Sequence, residues 1–356
     1  MENLWWTAVP NSVRFIDEIV AAFNEGSSVV CVIPKNCEWK DDLREIIQER
    51  ILSGVNKTYE ISGKDTAGRC PGEILMKKFV KPELRLQYRT SIGYEKFLTK
   101  NEGETSLVHS YIYLKDMNDD QVLEWLDFIH SYNKLHNHDE AGCKFILESS
   151  VNVMEEQKDI KVIRRSDHIH AHDITILCMM TASSQPLADT FKDYSVELAA
   201  LCSQNDPEFA YELIIHGNDL IRNTECVIKK AITDSVRSDF TSFEDVNGVN
   251  RNIWKAQLKV FFALIERYRL YIIEKYENEF PKHKSIKNMI GETITSIYDI
   301  ELNTIQHLRT NGDLFMPKED YAELCFFKEC RNDLAHLKIL PYDSLERIVS
   351  VIDRIQ

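Results

Sequence analysis

The sequence has no stretch approaching about 18 consecutive apolar residues, the minimum for a membrane-spanning helix, so no membrane association is expected. Its start, Met1-Glu2-Asn3-Leu4-Trp5-Trp6, is neither basic nor followed by an apolar core of the kind that marks a secretory signal, and a cytoplasmic location is expected. No Cys-x-x-Cys pair occurs, and the nine cysteines are odd in number and scattered. That pattern argues against a disulfide framework and against a structural zinc site, leaving reduced thiols and no cofactor as the expectation.

What is present is enough for a sizeable core. The chain has 356 residues, 44% of them hydrophobic, which suits two or three folded units. Its net charge of −14 speaks against a surface devoted to nucleic acid, because every phosphate contact needs local positive charge. The excess acid is unevenly placed: residues 1–250 hold 27 Lys and Arg against 41 Asp and Glu, whereas 251–356 hold 16 of each. A small RNA footprint in the C-terminal part is compatible with this distribution, and extended duplex binding is not.

The N-terminal half alternates between helical and strand patterns. Val13 to Phe23 is amphipathic, Ser28 to Pro34 is a continuous apolar strand, and Trp39 to Leu52 is helical. Further strands are expected at Thr58–Ile61, Tyr111–Asp116, Cys143–Leu147 and Lys161–Arg164, with a helix over Asp119–Leu135. Short apolar strands separated by helices predict an open, mostly parallel sheet with flanking helices. A helical region from about Ile174 to Lys230 follows, so the expected division is 1–173, 174–235 and 236–356.

Strands joined by helices and followed by a helical region resemble the core of AAA-type or STAND-type nucleotide-binding proteins, and Asp116 at a strand end resembles their Walker-B acid. The phosphate loop that this resemblance calls for is missing. After Pro34 the chain reads Lys35-Asn36-Cys37-Glu38-Trp39, without glycines that let backbone N–H groups wrap a phosphate. Gly63-Lys64-Asp65-Thr66-Ala67-Gly68-Arg69-Cys70 comes nearest, but arginine and cysteine stand where a phosphate loop has lysine and Ser/Thr, and Pro71 follows. It reads as a surface turn, and the domain as an inactive relative of such ATPases used for sensing or assembly.

Asp167-His168-Ile169-His170-Ala171-His172-Asp173 admits two readings. As an extended segment, its period of two sets three imidazoles on one face, suited to zinc or manganese. As a junction between the sheet and the helical region, it is merely polar.

From Trp254 to Pro281 the chain contains neither Gly nor Pro, and Trp254, Leu258, Phe261, Phe262, Ile265, Tyr268 and Ile272 recur at three- and four-residue steps. This predicts a long amphipathic helix. Further helices are expected from Ser285 to about Thr310, from Lys318 to Leu340 and from Tyr342 to Ile355, punctuated by Pro317 and Pro341. Four helices with short connections read as a bundle.

On the third of these lies Arg331-Asn332-Asp333-Leu334-Ala335-His336, which sets a permanent cation, an amide and an imidazole on about one turn. Histidine can take the proton of an RNA 2′-hydroxyl, and arginine can stabilise the pentacoordinate phosphate that results. At about 100° per residue, Asn332 and His336 lie about 40° apart, but Arg331 lies roughly 140° from His336. Either the arginine bends toward the histidine or a second protomer completes the site across a two-fold axis.

Arg-Asn-x-x-Ala-His on a late helix of an all-helical region resembles the R-x4-6-H signature of the HEPN family, with Arg331, Asn332 and His336 matching its positions. The resemblance implies a helical domain, metal-independent endoribonuclease activity in a dimer, and RNA products with cyclic-phosphate and 5′-hydroxyl ends. It also implies a setting of antiviral defence or toxin-like growth arrest, and allows an acidic residue from an early helix near the centre. Glu266 is the candidate for that residue, a solvated or salt-bridged helix-face glutamate being its other reading. The expected function is therefore cleavage of RNA, transfer or messenger, by a homodimer or by a subunit of a larger complex. The competing expectation is a non-enzymatic interaction or regulatory subunit.

Overall fold

The structure is a computed structural model, and it describes residues 3–37, 39–52, 57–66, 68–135, 142–151, 160–235, 237, 239–240, 245–281, 286–287, 291 and 293–355. The chain divides into two compact units, Met1–Asp173 and Ile174–Gln356.

In the first unit five strands, β1 (Ser28–Val32), β2 (Lys57–Ser62), β3 (Ser110–Lys115), β4 (Lys144–Ser149) and β5 (Ile160–Arg164), form one sheet in the order β2-β3-β4-β1-β5. Every pairing is parallel, as in Val29 opposite Ile146 and Tyr113 opposite Ile146 on its two neighbours. The inner strands are apolar on both faces because helices cover both sides, which is why Val29-Val30-Cys31 and Tyr111-Ile112-Tyr113-Leu114 show no polar alternation. The edge strand β2 is less buried, with Lys57 and Glu60 exposed and only Ile61 fully buried.

The surrounding helices are α1 (Leu4–Thr7), α2 (Pro10–Asn24), α3 (Lys40–Leu52), α4 (Pro71–Phe79), α5 (Pro82–Arg85), α6 (Tyr94–Lys100), α7 (Asp119–Leu135) and α8 (Arg165–His168). Pro10 opens α2, where its missing N–H costs nothing, and Phe15, Ile16, Ile19, Ala22 and Phe23 bury its inner face. The helix ends in a Schellman motif: Gly26, at φ +86°, donates to Phe23 O, and Ser27 donates to Ala22 O. Asn118 and Gln121 cap α7 reciprocally, each side chain accepting from the other's backbone N–H at 2.9 Å.

The second unit is helical among its described residues: α9 (Ala171–Ser183, entering from the first unit), α10 (Asp189–Cys202), α11 (Pro207–Ile214), α12 (Asn218–Arg222), α13 (Thr224–Asp234), α14 (Val246–Lys275), α15 (Leu302–Thr310), α16 (Lys318–Ala335) and α17 (Tyr342–Ile355). Helices of the 174–235 segment pack directly on those of 236–356, α10 against α14 foremost, and both segments belong to one unit. The 30-residue α14 is its spine, burying Ala256, Phe261, Ile265, Tyr268 and Ile272. Tyr268 stacks on Phe327 of α16 at 3.8 Å between ring centres, which ties the two helices together. No helix among the described residues is long and apolar enough to cross a membrane.

Two expected helices are shorter than their patterns suggested. Of Ser285 to Thr310, residues 285, 288–290 and 292 lie outside the described residues, and among the described ones only Leu302–Thr310 is α-helical. Gly291 adopts φ +87°, Lys287 pairs with Thr293 in an isolated bridge, and a 3-10 turn covers Ile297–Asp299. The β-branched run Thr293-Ile294-Thr295 also suits extended backbone better than helix. The motif helix stops at Ala335 rather than Leu340, because Leu337 turns into the left-handed region at φ +62°.

Candidate functional site at the end of the motif helix

The end of α16 is held from three directions. Trp254 of α14 donates its indole N–H to Leu334 O at 2.8 Å, occupying one of the carbonyls that a helix C-terminus leaves open. Leu337 N donates to Leu334 O and Lys338 N to Asp333 O, the same hydrogen-bond pattern that closes α2, but with leucine where α2 has glycine. Four residues beyond His336, Gln257 of α14 brackets Leu340, accepting from its N–H at 2.7 Å and donating to its C=O at 2.9 Å. His336 thus occupies the C-cap, with its N–H bonded to Asn332 O at 3.0 Å and its side chain exposed.

Arg331 sits on the last turn of α16, half-buried at 27% exposure. Its Nη2 meets Glu301 Oε2 at 2.8 Å, and its Nε lies 4.0 Å from Glu266 Oε1, too far for a hydrogen bond. Glu266, at mid-length of α14, is itself fixed by Arg269, whose Nε donates to it at 2.7 Å. Arg269 reaches on to Tyr298 O at 2.8 Å and Ile300 O at 3.2 Å, setting the chain just before Glu301.

Arg331 and Glu266 are therefore brought together. Asn332, the next residue in α16, is half-buried, and among the described residues neither its side chain nor that of His336 has a hydrogen-bond partner. Glu301 was not singled out from the sequence. It lies within the Ser285–Thr310 stretch whose pattern suggests continuous helix, and as the N-cap of α15 it meets Arg331.

The C-terminal ends of β1, β3 and β4 form a crevice of about 570 Å³, lined among others by Pro34, Lys35, Asp116, Asn118, Glu148 and Ser149. Crevices at strand ends, where the connections diverge, are where open parallel sheets take ligands. Here Arg44 of α3 bonds Glu148 through Nε and Nη2, both at 2.6 Å, Asp116 at 2.8 Å and Asp41 at 2.7 Å. Burial works against its charge, but the hydrogen bonds and charges of Glu148 and then Asp116 prevail and hold the guanidinium protonated more firmly than usual. Burial likewise pushes the Asp116 carboxyl up, and Arg44 more than reverses it, so the group lies below the ordinary carboxylate range.

Asp116 adopts φ +53°, and Gly63 lies so close that an added Cβ would stand 2.2 Å from Asp116 O. Gly63 thus serves close packing of the 3-10 turn Gly63–Thr66 after the edge strand β2, not a phosphate cradle after β1. Ala67, in the same stretch, lies outside the described residues.

The three histidines do not form an extended row. His168 closes α8, His170 lies between helices and His172 belongs to α9, because Asp173 caps this turn by accepting from His170 N at 2.8 Å. His168 pairs with Glu18 at 3.2 Å, while His172 lies 3.2 Å from Asn11. Among the described residues no group of three His, Cys, Asp or Glu is placed to hold a metal ion.

No family model matches the sequence, and no curated protein matches it. Among solved structures, the Holliday junction branch migration motor RuvB of Thermotoga maritima aligns over 86% of this chain and 95% of its own, with 13% identity and a TM-score of 0.32. At that score the two backbones differ too much for the likeness to carry an argument.

Proposed function

We propose that the C-terminal unit is a metal-independent endoribonuclease of the HEPN type. His336 acts as general acid or base on the 2′-oxygen or the leaving 5′-oxygen, Arg331 stabilises the phosphorane, and Asn332 orients the phosphate or the histidine. Glu266 positions Arg331. The observation that supports the reading is the proximity to Glu266 of Arg331 on the last turn of α16, the helix whose C-cap is His336, exposed and with no side-chain hydrogen bond among the described residues.

The two glutamates beside Arg331 oppose a bound phosphate, but their hold is weak. Glu301 is 52% exposed, and partly exposed ion pairs contribute only about 0–1 kcal/mol, so a phosphate can displace it. Transfer or messenger RNA is the expected substrate, a homodimer or a larger assembly the expected form, and defence or growth arrest the setting. In this reading the N-terminal unit is a nucleotide-binding-like fold used for sensing or assembly.

A second reading, a non-enzymatic regulatory subunit, is favoured by the crevice of the first unit, where Arg44 already occupies the strand-end carboxylates. Expression in growing cells separates the two. Catalysis predicts growth arrest that His336→Ala relieves at equal protein level. Arrest unchanged by that substitution would support an interaction protein.

A further inference from the structure

Residues 69–100, which carry α4, α5 and α6 between β2 and β3, hold eight Lys and Arg against three Glu and no Asp, whereas the rest of residues 1–173 holds 14 basic against 26 acidic side chains. The positive charge of an acidic unit is thus concentrated in one segment.

That segment is folded into one surface. α4 and α6 lie side by side and run the same way: at their starts Gly72 is so close to Tyr94 that an added Cβ would stand 2.2 Å from Tyr94 Cβ, and beyond their ends Ser106 N donates to Phe79 O at 3.1 Å. Ile74, Leu75 and Phe79 of α4 share one core with Phe97 and Leu98 of α6. Lys77, Lys96 and Lys100 are exposed on the opposite, outer faces, and Lys81, Arg85 and Arg89 belong to the connection between the two helices. At about 1.5 Å per residue, Lys77 stands nearly level with Lys100 on the neighbouring helix.

Among the described residues none of these six cations has a carboxylate partner; Arg69 has Glu73 at 3.9 Å, and Lys78 donates to Glu60 O of β2 at 2.7 Å. The helix dipole accounts for Lys77 and Lys100, which stand in last turns, where a cation is favoured. It does not account for Lys96, in the first turn of α6, or for Lys81, just ahead of α5, where a cation is disfavoured.

An independent feature of the same surface is aromatic. Tyr88 and Tyr94 stack at 4.6 Å between ring centres, 11° from parallel, and Phe97 meets the Tyr88 ring edge-on at 5.5 Å. Both tyrosines are half-buried, so the pair is fixed from behind and keeps part of its rings at the surface. Leu86, 80% exposed, and Ile92, 39% exposed, flank Tyr88 in the chain. Rings and apolar groups set among unpaired cations match a strand that alternates bases with phosphates.

We infer that the face formed by α4, α5 and α6 binds single-stranded nucleic acid. Phosphates lie along Lys77, Lys96 and Lys100 and on Arg85 and Arg89, and bases rest on Tyr88, Leu86 and Ile92. A narrow strand meets the positive segment alone, whereas a duplex or an anionic bilayer spreads over more of a unit that is otherwise acidic. The binding lies in the first unit and does not depend on the ribonuclease reading of the second.

Fluorescence anisotropy of the full chain with a labelled single-stranded 2′-deoxy oligonucleotide of about 15 nucleotides tests this without cleavage. The expected result is saturable binding that weakens as salt rises and is tighter than binding of a duplex of the same length. Lys77→Gln combined with Lys96→Gln and Lys100→Gln should weaken it about tenfold or more and flatten its salt dependence. Tyr88→Leu should weaken it about fivefold and leave the salt dependence nearly unchanged, with the melting temperatures of both variants close to wild type. The ribonuclease reading stands on the Arg331 and His336 variants, so its failure is distinct from failure here. No saturable binding, unchanged affinity in the triple variant, tighter binding of the duplex, or binding of phosphatidylserine vesicles in place of the strand would overturn the proposal.

Discussion

Arg44 and Arg331 both face carboxylates at the end of a secondary-structure element, yet they are suited to opposite tasks. Arg44 is 9% exposed, and its main partner Glu148 is 6% exposed, so the pair is sealed and bonded at two points. Arg331 is three times as exposed, at 27%, and its partner Glu301 stands half in water at 52%. In a sealed pair neither charge can leave without stranding the other, whereas in an open pair water replaces the departing partner. Burial, more than the presence of a guanidinium, decides which arginine is available to an incoming phosphate.

The largest expected effect tests the open side. His336→Ala and Arg331→Ala should each lower RNA cleavage by about 10²-fold or more, with little change in melting temperature, measured as initial rates on labelled RNA. Comparable loss from Arg44→Ala with the fold intact would break the comparison.

On the sealed side the expected effect is on stability. Arg44→Ala leaves Glu148 buried and unpaired and should cost about 3–5 kcal/mol in denaturant unfolding, while Arg44→Met with Glu148→Leu should recover most of it. A single-variant cost below about 1 kcal/mol would mean that the pair is as open as that of Arg331.

The pH dependence follows from the depressed Asp116 carboxyl. A group whose folded value lies below its unfolded one, about 3.9, adds stability above that pH and loses it as the pH falls through the folded value. Melting temperatures should therefore fall as the pH drops below about 4, with a shallower fall in Arg44→Met with Glu148→Leu.

Two smaller effects sharpen the account of the motif helix. Leu337 is 69% exposed and holds a left-handed turn that Gly26 performs at the end of α2, so Leu337→Gly should stabilise the protein by up to about 1 kcal/mol, seen as a raised melting temperature. Glu301→Gln should change stability by less than about 0.5 kcal/mol while tightening binding of a non-cleavable 2′-deoxy oligonucleotide, read by fluorescence anisotropy.

The parts of the fold that were legible in the sequence are those in which local pattern and tertiary burial agree. Val29-Val30-Cys31 and Tyr111 to Leu114 are apolar on both faces because the inner strands of a parallel sheet are covered twice, and that signal survives without knowledge of the partners. The start of α15 was not legible, since Gly291 and the extended residues after it interrupt an apolar spacing that also fits a helix. The stop of α16 at Ala335 carried no glycine to announce it, because Leu337 takes the left-handed conformation instead.

For the candidate site, Arg331, Asn332 and His336 stand out in the sequence as a cation, an amide and an imidazole on about one turn, whereas Glu266 is suggested only by the resemblance to the HEPN family. Glu301 could not be picked out, because its position opposite Arg331 depends on the path of residues 293–301, which Arg269 fixes through two backbone carbonyls. Arg44 was equally hidden: nothing in the spacing of an arginine on α3 indicates that it meets acids 72 and 104 positions away.

Cleavage of end-labelled RNA in EDTA by the full chain, with analysis of the new termini, tests the central claim most directly. Wild-type protein should give cyclic-phosphate and 5′-hydroxyl ends, and Arg331→Ala or His336→Ala of unchanged fold and oligomeric state should give none. Products ending in a 3′-hydroxyl, or cleavage that persists in both variants, would contradict that claim.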